Sequence, residues 1–168
     1  VKAADIVGGV DISSGKETGL EVVRQVYPKL SMTPGILLAP GWSENALVSA
    51  GLQAKTSHIN GVFNCVCIVD IDSSTAGATK YDDVKRQKEK QAVTSANCYA
   101  VWLYAKVGDV IYAGSAMAAA ATVATDANNG DIPNVSPDNK PISISAACLK
   151  DGTEVPVSYT HLRAHETC

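Results

Sequence analysis

Apolar positions cluster most tellingly between Thr33 and Asp72. An apolar run, Gly35 to Ala39, stops at Pro40-Gly41-Trp42. A helix-period segment follows, with Leu47, Ala50, Gly51 and Ala54 on one stripe of small residues and Ser43 placed to cap its start. Asn60-Gly61 marks a turn. The next run, Val62 to Ile71, is apolar on both parities, as a strand covered on both faces must be. Together these segments predict one βαβ unit with a right-handed crossover.

The flanking patterns extend the picture. Ile6 to Ile12 reads as a strand interrupted at Gly8-Gly9. Thr18-x-x-Glu21 fits a capping box, Leu20, Val23 and Tyr27 share a helical face, and Pro28 is expected to end that helix. Thr79 is placed to cap a polar helix over about 80–92, with Asp82 and Asp83 early and Lys85, Arg86, Lys88 and Lys90 late, an order that complements the helix dipole. A strand is expected from Asn97 to Ala105 and a short antiparallel one from Val110 to Tyr112, turned at Val107-Gly108-Asp109. Ser115 should cap an Ala-rich helix that Asn128-Asn129-Gly130 ends. Ile142 to Leu149 is the last predicted strand. The fold class that follows is α/β: three layers, with a mostly parallel sheet covered by helices on both faces and incomplete at both ends.

Bulk composition adds few constraints. The 168 residues can bury a real single-domain core, and 46% apolar with 18% charged residues is a globular composition. A net charge of −3 gives no basic excess for nucleic acid, and no apolar run is long enough to span a membrane. The start lacks a secretory pattern and an initiator Met, and reads as an internal beginning.

The far end changes character. Residues 157–167, VSYTHLRAHET, resemble one reading frame of a widely used transposase sequencing adapter. Residues 157–168 are therefore expected to be a non-native tail, which leaves 1–156 as one domain. That removes His161, His165 and Glu166 as ligand candidates. The remaining cysteines, Cys65, Cys67, Cys98 and Cys148, include no C-x-x-C pair and are expected to be buried, reduced thiols. Cys65 and Cys67 share one face of their strand, a spacing that does not readily close into a disulfide.

Candidate chemistry is sparse. Asp70 and Asp72, in the motif D-I-D, fall at the C-terminal end of the central strand, where α/β enzymes place carboxylates for a metal or a nucleophile. No third carboxylate or lysine joins them in a motif. Ser43 lies in G-W-S-E-N, which is not a nucleophile elbow. Ser43, His58 and Asp70 have no spacing that predicts a triad. Gly8-Gly9 and Gly41 belong to no phosphate-binding loop. Trp42 reads as a packing or contact residue. No catalytic residue, metal ligand or cofactor site is assigned, and Asp70 and Asp72 are expected to face solvent or an interface at the strand end.

The block from Gly8 to Lys55, with its two Pro-Gly turns at Pro34-Gly35 and Pro40-Gly41, resembles the contractile tail sheath proteins of tailed bacteriophages. The apolar strand ending at Asp70 or Asp72, and the Ala-rich run from Tyr112 to Asn129 with its Thr125-Asp126-Ala127-Asn128 segment, continue the resemblance over most of residues 5–155. Many relatives carry a Trp-containing loop after that helix, whereas residues 130–139 here hold prolines and no Trp. The resemblance implies a structural subunit rather than an enzyme. Such subunits surround a tail tube as a homopolymer, meet baseplate and tail terminator proteins, and contract to deliver the genome. It also implies assembly in a host bacterial cytoplasm, residence in the virion, and linkage of neighbours through extended terminal arms. The alternative is a small α/β metal-dependent hydrolase using Asp70 and Asp72. With at least the C-terminal arm missing, the 168-residue chain is expected to remain unpolymerised by electron microscopy; filaments formed from it alone would contradict this.

Overall fold

The computed structural model describes residues 1–133, 135–138, 140 and 142–155. The expected tail at 157–168 lies outside the described residues. The fold is mixed α/β, and among the described residues parallel pairing is confined to one of three small sheets. Strand β3 (Ile36–Leu38), helix α3 (Ala46–Ala54) and strand β4 (Val66–Asp70) make the predicted βαβ unit. Helix α4 (Tyr81–Lys90) then leads to β5 (Cys98–Val101), parallel to β4 on its other side, so the order is β3-β4-β5. Central β4 is buried on both parities, as its sequence requires.

The core lies against this sheet. Leu37, Cys67, Val69 and Ile71 cluster with Val48 and Leu52 of α3 and with Val93 and Cys98. The buried stripe of α3 is Val48, Ser49 and Leu52; Leu47, Ala50 and Ala54 are exposed. The predicted stripe was thus turned away from the sheet, except at half-buried Gly51, which sits against Val7 and Leu20. Of these residues only Gly51 marks where another helix approaches.

The N-terminal region departs from expectation. Residues 3–7 form helix α1 (Ala3–Val7), followed by β1 (Gly9–Val10) paired antiparallel with β2 (Glu17–Thr18). Ile6 and Val7 are spent on helical packing against the core. Gly8 makes the transition at φ 66°, with Thr18 O so close that a Cβ would lie 1.9 Å from it. Thr18 does not cap a helix. Its hydroxyl exchanges hydrogen bonds with the backbone of Gly9, and Glu21 pairs with Lys55 instead. A 3₁₀ helix (Gly19–Gln25) runs into α2 (Val26–Leu30). Pro28 lies inside α2, in its first turn, where a missing N–H costs nothing.

The expected strand from Asn97 to Ala105 splits in two. At Trp102 the indole N–H turns to Ala78 O at 2.7 Å, and the chain leaves the parallel sheet. Strand β6 (Tyr104–Val107) then pairs antiparallel with β7 (Val110–Tyr112), as predicted, and with β8 (Ala146–Cys148), in the order β7-β6-β8. The single, mostly parallel sheet is therefore replaced by a parallel and an antiparallel one joined at Trp102-Leu103. Helix α5 (Gly114–Asn128) begins against that joint. A Cβ on Gly114 would lie 2.1 Å from Leu103 O and 2.6 Å from Val101 Cγ1, so only glycine fits there. Gly114→Ala should cost roughly 2–3 kcal/mol, typical of overpacking against backbone, seen as a lower urea midpoint; an unchanged midpoint would refute the close approach.

Candidate functional site

The Asp70 carboxylate ends β4 and is 1% exposed. This corrects the expectation of a group facing solvent or an interface, which holds better for half-buried Asp72. A buried carboxylate must find its hydrogen bonds inside the protein. The Ser43 hydroxyl donates to Asp70 Oδ2 at 2.9 Å, the Ser115 hydroxyl donates to the same oxygen at 2.6 Å, and the Ser115 N–H donates to Oδ1 at 2.7 Å. The Asp70 N–H returns a bond to Ser43 Oγ at 2.9 Å. Gln91, also buried, donates to Asp70 O at 2.9 Å and accepts from the Asp72 N–H at 2.9 Å. Among the described residues no buried side-chain polar atom lacks a partner.

These partners come from three connections. Ser43 belongs to the loop between β3 and α3, Gln91 directly follows α4, and Ser115 is the second residue of α5. Neither Ser43 nor Ser115 is the predicted helix cap. Asn45 caps α3 by accepting from Leu47 N–H at 2.9 Å. The N-cap position of α5 is Ala113, which has no side chain able to accept a bond. Asp70 supplies that acceptor from a different element. Its negative charge sits at the positive end of the α5 dipole. Likewise, Thr79 does not cap α4, whose N-cap position is Lys80.

A second polar group adjoins the first. The Tyr104 hydroxyl donates to Glu44 Oε1 at 2.5 Å, and Lys150 Nζ pairs with Glu44 Oε2. Burial, then the bond to Glu44, raises the Tyr104 hydroxyl above its ordinary range and keeps it a donor. The Lys150 N–H also donates to Ser73 Oγ at 3.1 Å. Glu44 and Ser73, from loops at the end of the parallel sheet, thus hold the antiparallel sheet in place.

Of the residues weighed for chemistry, Ser43 and Asp70 do meet, but His58 does not join them. His58 lies in the loop entering β4, at the end opposite Asp70, where its N–H donates to Asn64 Oδ1. Asp72 turns to its own loop, with Oδ1 accepting from the Ser74 N–H at 3.0 Å. Trp42 is at the surface, 36% exposed. Among the described residues, no three His, Cys, Asp or Glu side chains are grouped to hold a metal ion. A cleft of about 360 Å³ between Tyr81, Trp102, Leu149 and Val155 includes neither Asp70 nor Asp72. The roles of Ser115 and Gln91 escaped sequence reasoning. The usable signal was Ala113, a helix start with no local cap, which demands an acceptor from elsewhere.

No protein-family model and no curated protein matches this chain.

Asp70→Ala leaves two serine hydroxyls and one amide without their acceptor and should destabilise by roughly 3–5 kcal/mol. Ser115→Ala, which keeps the amide bond, should cost about 1–3 kcal/mol. Urea unfolding followed by circular dichroism checks both, and a near-neutral Asp70→Ala would remove Asp70 from its structural role.

Proposed function

We propose that residues 1–156 are the α/β core of a contractile phage-tail sheath subunit, a structural protein that polymerises around a tail tube and contracts to drive genome delivery. One observation carries this reading beyond the sequence resemblance. The strand-end carboxylate that an enzyme of this class would use is wholly committed to hydrogen bonds within the chain. For Asp70 to serve a metal-dependent hydrolase, it would have to abandon Ser43 and Ser115. Used as a pin, it instead stiffens the unit, as force transmission demands.

In this reading the three-layer arrangement is the rigid body. Alternate residues of β4 support it: Cys67 and Val69 cluster with α3 residues, whereas Asp70 meets α5. The partners are other copies of the chain, the tail tube protein, and the baseplate and tail terminator proteins. Assembly takes place in the bacterial cytoplasm, and the finished protein belongs to the virion. Exposed Val110, Ile111 and Tyr112 on edge strand β7 suit contact with a neighbour. No catalytic residue or cofactor is assigned.

Electron microscopy of the protein from the complete reading frame, expressed with a tail tube protein, tests the proposal. Regular tubular polymers are expected. Monodisperse particles at high concentration would overturn it, and saturable Mg²⁺ binding lost in Asp70→Asn would favour the hydrolase.

A further inference from the structure

Cys67 and Cys98 are direct partners in the parallel pairing of β4 with β5. Both are free and almost wholly buried, at 0% and 2% exposure. Both belong to the core cluster, so their side chains project on the same face of the sheet. In-register neighbours on adjacent strands have Cα atoms about 5 Å apart, within the span that a disulfide bridges. The pairing therefore brings together two thiols that lie far apart in sequence.

We propose that Cys67 and Cys98 form a peroxide-responsive dithiol, whose oxidation to a disulfide ties edge strand β5 to central strand β4. The two sulfurs are not equivalent. The neighbouring Cys98 thiol, and then burial, raise Cys67 above the usual thiol range. The neighbouring Cys67 lowers Cys98 despite its burial, and the charge of Lys88 acts in the same direction. Cys98, at the start of the edge strand, is therefore taken as the nucleophile and Cys67, in the central strand, as the resolving thiol.

The step balances with hydrogen peroxide as the two-electron oxidant. The Cys98 thiolate attacks one peroxide oxygen, forming sulfenic acid and releasing hydroxide. The Cys67 sulfur then displaces the sulfenic oxygen, which leaves as water with the Cys67 proton, and the S–S bond forms. Access comes from the edge. Cys98 is the first residue of β5, a four-residue strand at the sheet border, so exposing it takes local fraying rather than global unfolding. Cys65 also lines the core, but its thiol contacts Lys55 O at 3.8 Å, and it has no partner cysteine in register.

The test is peroxide treatment of the reduced full chain under native conditions, followed by alkylation and peptide mass mapping with fragmentation that separates Cys65 from Cys67. The expected product is a Cys67–Cys98 link, lighter by two hydrogens and reopened by a dithiol reductant. Cys67→Ala should instead leave a sulfenic acid at Cys98 that dimedone traps. Three outcomes would overturn the proposal: links formed first through Cys65, Cys148 or Cys168; over-oxidised Cys98 without a link; or oxidation only once urea has unfolded the chain. Mapping of the unmutated protein decides the matter even if the variant fails to fold.

Discussion

The carboxylate of Asp70 is cut off from water, and a buried charge without partners is costly enough to dismantle a small domain. Here its oxygens accept three bonds, from Ser43 and Ser115, and its backbone bonds Ser43 and Gln91. Each partner belongs to a different connection. Strand β4 is thereby tied at one residue to the β3–α3 loop, to the chain just after α4, and to the start of α5. The pieces are distant in sequence, so these bonds are long-range contacts of the assembled fold. The site rewards only the complete arrangement, which makes it a source of specificity as well as stability.

Other features follow from that pin. Helix α5 can start at Ala113-Gly114, with no local cap, because Asp70 provides one, and Gly114 lets it begin against the backbone of Leu103. The same sheet end hosts Glu44 and Ser73, which engage Tyr104 and Lys150 and so fix the antiparallel sheet. A strand end that could have been an open catalytic mouth is instead a packed joint between the two sheets. The structural reading proposed above keeps this carboxylate bonded, whereas the hydrolytic one needs it free.

Much of this was legible in the residues themselves, unevenly. The βαβ unit was plain because β4 is apolar on both parities and bounded by turn residues. The β6–β7 hairpin was plain because Gly108-Asp109 interrupts two apolar runs. The polar helix α4 announced itself through its ordered charges. The failures share a cause. Ile6 and Val7 formed a helix, Thr18 and Ser115 declined to cap, and the stripe of α3 faced elsewhere because tertiary partners outbid local pattern. The split at Trp102 coincides with an indole bond to Ala78, to which no local signal points. Asp70 was located correctly but assigned to solvent or an interface, because no motif partner within the chain was in view.

Native-state hydrogen exchange at the Ser115 amide addresses the central claim most directly, since that N–H sits in the first turn of α5, has no acceptor within the helix, and donates to Asp70 Oδ1. If Asp70 pins the connections, the Ser115 amide exchanges only through openings as costly as those that expose the amides of β4. Exchange at the rate of an open helix end, with β4 still protected, would contradict the account.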